Sequence, residues 1–163
     1  MTFTIENLKE SDVEAVVKLF HIIIDELHEK SLEVERLHFK DMYPAEEVTN
    51  RLSNKDCIYL VARENDNVAG FMFAWVSEGV GNIHWMGIAQ KQRKKGYGDK
   101  LIEETIKIFT EKGCYEAKLF TYPSEKAAYH LFQKHGFREA AFIDAKDYPG
   151  SRGTPVEKDR ACR

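Results

Sequence analysis

Cysteine is scarce in this chain of 163 residues: only Cys57, Cys114 and Cys162 are present. Their number is odd, their spacings are long and no C-x-x-C occurs, which excludes a disulfide framework and argues against a structural metal site. The thiols read as reduced and the compartment as cytoplasmic. Long apolar runs are also missing. The stretch Val16 to Ile24 is broken by Lys18 and His21 and is too short to cross a bilayer, so no membrane partner is expected. The start, MTFTIENLKESD, is polar and acidic and does not read as a secretory signal. A basic excess is lacking too: the net charge is −3, whereas a protein gripping a duplex along a whole face is usually basic, so no nucleic-acid partner is expected. There is no internal repeat and no low-complexity linker. What remains, 43% hydrophobic and 31% charged residues with 12% aromatics, describes a single globular domain over 1–163 with volume for a core.

Periodicity places the elements. Phe3 to Leu8 alternates as a strand. Ser11, with Glu14 three residues on, reads as a capping box for a helix whose buried stripe is Val13, Val16, Val17, Phe20, Ile23, Ile24 and Leu27. Ser31 to Ser53 is a less regular helical region, its better-formed part opened by Pro44 and facing Val48 and Leu52 inward. Cys57–Ala62 and Val68–Val76 form a hairpin across the turn Glu64–Asn67, and Ile83–Ala89 is the next strand. A helix follows from about Gly98 to Lys112 and stops at Gly113. Ala117–Tyr122 is a strand, Ser124 caps a helix through His135, Gly136 ends it, and Phe137–Ile143 is a strand. Residues 144–163 form either a flexible tail or a last strand near Val156 to Ala161. Consecutive strands followed by strand, helix, strand, helix, strand imply an α/β (α+β) fold with a mixed sheet.

The richest stretch runs from Ile83 to Asp99, where a strand leads through a basic turn with Gly96 and Gly98 into a helix start. Glycine lets backbone approach a ligand closely, and the unpaired N–H groups of a helix N-terminus favour an anion. Four of the five residues Lys91 to Lys95 are basic in a chain that is net acidic, which suggests a ligand bearing several phosphates. A dinucleotide fingerprint fits poorly, because Leu101 stands at its third glycine position and the turn follows a hairpin. The G-x-x-x-x-G-K-[ST] phosphate loop is absent.

Arg93-Lys94-Lys95-Gly96-Tyr97-Gly98 resembles the [RQ]-x-x-G-x-[GA] motif of the GNAT superfamily of N-acetyltransferases. Ala128 to Phe137 resembles the A-x-x-L-Y-x-K-x-G-F ending of that family's penultimate helix, and the element order is similar over nearly the whole chain. The resemblance implies a mostly antiparallel central sheet flanked by helices, with the fourth and fifth strands splayed apart. It implies acetyl-CoA as co-substrate, with no metal. The pyrophosphate would rest on the amides of Arg93 to Gly98, with Asp99 at the helix start and Lys91, Arg93, Lys94 and Lys95 as candidate phosphate partners. The pantetheine arm would pair with Met86, Gly87 and Ile88. A bulge at Gly87 would aim an N–H at the thioester oxygen, while a crowded core neighbour is the alternative reason for that glycine. Homodimers are common in the family and enter as an expectation of the resemblance.

Acetyl transfer to an amine requires that the nitrogen shed a proton and that the oxyanion be stabilised. His84, placed by alternation on one face with Met86 and Ile88, is the candidate base, and Glu78 on the preceding loop is the alternative. Phe132 stands where the family motif carries its tyrosine, so Tyr129 is the candidate substitute acid, with Tyr97 and Tyr122 behind it. Cys114 reads as a structural thiol. Between Asp25 and Glu47 eight acids face three bases, which would attract a cationic amine such as a polyamine, an aminoglycoside or a lysine side chain of a peptide. The expected activity is acetyl transfer to a primary amine of a small molecule or peptide in a ternary complex. Phe132, together with Glu125 where relatives carry asparagine, motivates the competing reading of a non-catalytic acyl-CoA-binding or regulatory module.

Overall fold

A computed structural model describes residues 3–27, 33–121, 125–143 and 157–162. The described residues form seven strands: β1 (Phe3–Asn7), β2 (Cys57–Glu64), β3 (Asn67–Ser77), β4 (Val80–Ile88), β5 (Glu116–Thr121), β6 (Phe137–Ile143) and β7 (Glu157–Cys162). Five helices join them: α1 (Val13–Leu27), α2 (Glu33–Asp41), α3 (Ala45–Arg51), α4 (Tyr97–Glu111) and α5 (Lys126–Lys134). One sheet runs in the order β1-β2-β3-β4-β5-β7-β6. Every neighbouring pair is antiparallel except β4 and β5. The last strand expected near Val156 to Ala161 is β7, which lies between β5 and β6.

Alternation along β2 divides the core. Ile58, Leu60 and Ala62 face α4 and α5, meeting Leu101, Ile102, Phe109 and Phe132. Tyr59 and Val61 face α1 and α3, meeting Phe20, Ile24 and Val48. Phe20 is fully buried at the centre of an aromatic cluster, with ring centroids of Tyr43, Phe71, Phe73 and Trp85 at 5.5, 5.9, 5.9 and 5.4 Å. Truncating such a ring costs about 3–5 kcal/mol, so this cluster anchors α1 to the sheet.

The start of α1 departs from the expected Ser11 cap. A 3-10 turn over Glu10–Asp12 precedes the helix, and the buried Asp12 carboxylate accepts the Lys9 backbone N–H at 3.1 Å. The same carboxylate is paired with Arg63, so a long-range ion pair decides where the chain turns into the helix. Helix α5 begins one residue later than expected, with Glu125 at its N-cap; Ser124 lies outside the described residues.

Two features of β4 shape the site. Its parallel pairing with β5 stops at Ile83 opposite Leu119, although both strands continue. The two strands therefore part and leave one edge of β4 open. On its other side the register with β3 shifts: Phe73 faces Trp85 and Ala74 faces Ile83, so His84 is an extra residue without a counterpart. This is a β-bulge, which re-aims the side chain it carries.

Candidate active site

The parting of β4 and β5 opens a cleft of about 730 Å³. One wall is β4 from Ile83 to Ile88, and the facing wall is Leu119 to Thr121 of β5. The N-terminus of α4 and the α5 residues Ala128, Leu131 and Phe132 form the floor, while Ile23, Glu26 and Leu27 of α1 and Phe39 and Met42 around α2 form the far rim.

The glycine turn closes one end. Lys94 and Gly96 are in the left-handed region, with φ of 62° and 87°, so the backbone curls before α4 starts. Gly96 is the N-cap and brings no side-chain hydrogen bond, which leaves the first amides of α4 open. A Cβ on Gly96 would meet nothing within 4 Å, so its requirement is conformational. Gly98 has a different reason: a Cβ there would lie 2.8 Å from Leu131, so this glycine lets α5 pack against the helix start.

Of the residues expected to hold the co-substrate, Met86, Gly87, Ile88, Arg93, Lys94, Gly96, Tyr97, Gly98 and Asp99 line the cleft. Lys95 does not; its ammonium is bonded to Glu64 at 3.0 Å. Lys91 is exposed and also off the cleft. Arg93 folds back over the end of β4, donating from Nε to the Ile88 carbonyl at 3.0 Å and pairing with Glu26 of α1. Asp99 is taken up by Lys134 at 2.6 Å and His135 at 2.9 Å, and Lys134 in the first place holds its carboxyl below the usual range. That pair staples the start of α4 to the end of α5. Tyr97 is buried and edge-on to Phe3, and burial, reinforced by the Glu64 carboxylate, raises its phenol pKa.

The expected bulge at Gly87 is corrected. Gly87 pairs in register with Phe71, and the bulge lies three residues earlier at His84. A Cβ on Gly87 would stand 2.5 Å from the Phe71 ring and 2.8 Å from Ile23, so core crowding demands this glycine. The face assigned to His84 changes for the same reason. The extra residue breaks the alternation, and His84 does not share the α4 side with Met86 and Ile88. It packs with Tyr43 and Trp75 on the α1–α3 side, ring centroids 5.5 and 5.1 Å away.

His84 Nδ1 lies 2.5 Å from the Tyr43 hydroxyl. Burial, reinforced by the nearby Arg51 charge, lowers its pKa from 6.5 to about 4, so the imidazole is neutral at physiological pH. Burial pushes the Tyr43 phenol well above its ordinary range, so it stays protonated. Tyr43 and Arg51 were not singled out as site residues from the sequence, because they meet His84 only through the packing of α2 and α3 on the sheet.

Other candidates fall outside the cleft. Tyr129 does not line it; its hydroxyl donates to Glu139 at 3.4 Å and accepts from Gln133 at 3.2 Å. Phe132, by contrast, is buried and lines it. Glu78 is exposed on the β3–β4 turn, away from the walls. Tyr122 lies outside the described residues. Glu125 does line the cleft, and burial raises its carboxyl pKa. Cys114 packs against the α4 side of the core, and burial raises its thiol pKa.

A family model described as the acetyltransferase (GNAT) family matches residues 20–137. The chain belongs to the GNAT acetyltransferase family. Solved structures agree on the fold. The PaiA N-acetyltransferase of Thermoplasma acidophilum, in complex with coenzyme A, is similar with a TM-score of 0.79 at 19% identity, covering 98% of each chain. A GNAT-family acetyltransferase from Streptococcus pneumoniae has a TM-score of 0.78 at 20% identity, again over 98% of each chain. An acetyltransferase from Salmonella typhimurium with its cofactor acetyl-CoA has a TM-score of 0.72 at 18% identity, covering 100% of this chain and 94% of that one. No curated protein matches. Among the described residues, no helix of this acetyltransferase is long and apolar enough to cross a membrane.

Proposed function

We propose that this chain moves an acetyl group from acetyl-CoA to a primary amine of a small molecule or peptide, by direct attack in a ternary complex. The observation that carries the reading is the parting of β4 and β5 beyond Ile83 and Leu119. It opens a cleft that runs from His84 to the uncapped start of α4. The residues present suit the co-substrate. Open amides at Gly96 to Gly98 and the Lys94 charge suit its diphosphate, and the open edge of β4 suits an amide-bearing arm.

In the transfer, the nitrogen–carbon bond forms as the carbon–sulfur bond breaks, and sulfur leaves as the thiolate. The tautomer in which Nδ1–H donates to the Tyr43 oxygen leaves the Nε2 lone pair of His84 free. A neutral imidazole with a pKa of about 4 does not strip an ammonium whose pKa is about 10. The attacking nitrogen becomes far more acidic once it bonds the acyl carbon, so His84 takes its proton at that stage and passes it to solvent. Amine that arrives already deprotonated is therefore the reacting form, and the rate should climb with pH as the acceptor loses its proton. Glu33, Glu35, Asp41 and Glu46 on α2 and α3 have no ion pair among the described residues and would draw in a cationic amine.

The test is calorimetric titration with acetyl-CoA beside a thiol-release assay over an amine panel. Binding and turnover together support the reading. Binding with no turnover of any amine would favour a non-catalytic acyl-CoA-binding module instead. The observation behind that second reading is that no phenol of α5 reaches the cleft, Phe132 taking the place and Tyr129 pointing away.

A further inference from the structure

A second cavity, of about 410 Å³, lies on the α3 side of His84. Its walls are Met42, Tyr43, Arg51, Cys57, Tyr59, Trp75 and His84. Only Met42 and His84 also line the large cleft, so the imidazole stands where the two spaces meet. A molecule in the smaller cavity would present its reacting atom to His84 and, past it, to the acyl end of whatever fills the larger one.

The polarity of this cavity is specific. Tyr43, Tyr59 and Trp75 supply flat apolar walls, with Tyr43 and Tyr59 almost fully buried. Arg51 is the one side chain lining it that is charged at neutral pH, since His84 is neutral. Its carboxylate partner Glu47 accepts from Nε at 2.7 Å and is not part of the lining. The Tyr59 oxygen accepts from Nη1 at 3.3 Å, and Nη2 has no partner among the described residues. The guanidinium is thus fixed from behind by Glu47 and from the side by Tyr59, with donor capacity left toward the space. It lies 5.4 Å from the centre of the Tyr43 ring, and the His84 ring lies 5.5 Å from that same centre. Both groups thus flank the same Tyr43 ring, so one small molecule bearing an anionic group and a reacting nitrogen can engage the two.

We propose that this cavity is the acceptor site and that its ligand is a small amino carboxylate with an apolar or aromatic body: carboxylate on Arg51, body against Tyr59 and Trp75, amine at His84. The assignment rests on the acetyl-transfer reading for its reaction, though not for its binding. The acids of α2 and α3 attract the ammonium from outside, while Arg51 opposes a second positive charge inside. Polyamines and aminoglycosides are accordingly poor occupants, and the terminal amine of a peptide lacks the carboxylate that Arg51 takes.

The experiment compares L-phenylalanine with phenethylamine, the same body without its carboxylate, and adds putrescine. Each is titrated calorimetrically into the full chain saturated with coenzyme A, and each is assayed for turnover with acetyl-CoA. The expected result is that L-phenylalanine binds about ten-fold or more tightly than phenethylamine, that putrescine binds weakest, and that Arg51→Gln abolishes the difference between the first two. Arg51→Lys, which keeps the charge and loses the fork, should retain part of it and guards against a folding defect of the glutamine variant. Equal affinities, no binding of either, or a preference that survives Arg51→Gln would overturn the assignment. A carboxylate preference in binding without turnover of any amine would sink the acetyl-transfer reading and leave the assignment standing. Turnover of phenethylamine as fast and as tight as L-phenylalanine would do the opposite.

Discussion

The large cleft and the smaller cavity that meets it at His84 are built from different materials. At the α4 end the recognition surface is backbone: a left-handed turn at Lys94 and Gly96, uncapped amides and an open strand edge. At the His84 end it is side chain: Tyr43 from the α2–α3 junction, Arg51 from α3, Tyr59 from β2, Trp75 from β3 and His84 from β4. A backbone surface reads a group common to many substrates and tolerates drift in its neighbouring side chains. A side-chain surface reads one substrate and changes with every substitution. The division suits the proposed reaction, in which the donor is common to the family and the acceptor is particular to this chain.

Substitutions at either end test that division. The largest expected effect is at His84. His84→Gln should lower kcat by roughly 10²-fold, the scale of a lost proton acceptor, with acetyl-CoA affinity unchanged by calorimetry. An unaltered kcat would remove the imidazole from the reaction. Next is Gly96→Val, which forces a β-branched residue into φ of 87°. The strain is about 1–2 kcal/mol or more. It should appear in urea melts and as about a ten-fold loss in acetyl-CoA affinity, whereas Gly98→Ala, opposed only by the movable end of Leu131, should lose much less.

A smaller effect separates the basic residues of the turn. Lys94→Ala should weaken acetyl-CoA by several-fold, because Lys94 lines the cleft, while Lys95→Ala should be near neutral, because Lys95 is engaged with Glu64. Equal losses would mean that the turn acts through its overall charge rather than through placed groups. The subtlest test is the pH dependence of stability. The folded His84 has a pKa of about 4 against 6.5 unfolded. Between those values the unfolded chain binds a proton that the folded chain refuses. His84 therefore lowers stability as pH falls from about 6.5 to about 4 and contributes nothing above that window. Urea melts of His84→Gln should show a shallower acid-side decline than the parent chain.

The legibility of the sequence followed the same division. Gly96 and Gly98 announced the turn that opens α4, because a glycine requirement is local and survives as a spacing motif. Even so, the two glycines proved to serve different needs, one a backbone angle and the other the approach of Leu131. The face of His84 was misjudged because simple alternation assumes an unbroken register, and the bulge opposite Phe73 and Ala74 leaves no mark in composition. Tyr129 was assigned by its three-residue separation from Phe132, but its hydroxyl is held by Glu139 and Gln133 on the outer side of α5. The Ser11 cap gave way to Asp12, whose partner Arg63 lies far along the chain.

The sequence alone determined the order of strands from β1 to β6 with the helices α1, α4 and α5 between them, the apolar faces that divide the core, and the turn that opens α4. Each of these depends on residues within a few positions of one another, where spacing is geometry. Only the tertiary structure decided where β4 and β5 part, which way His84 turns and that Arg51 joins it beside Tyr43. Those outcomes depend on register and packing between elements distant in the chain, and no local pattern carries that information.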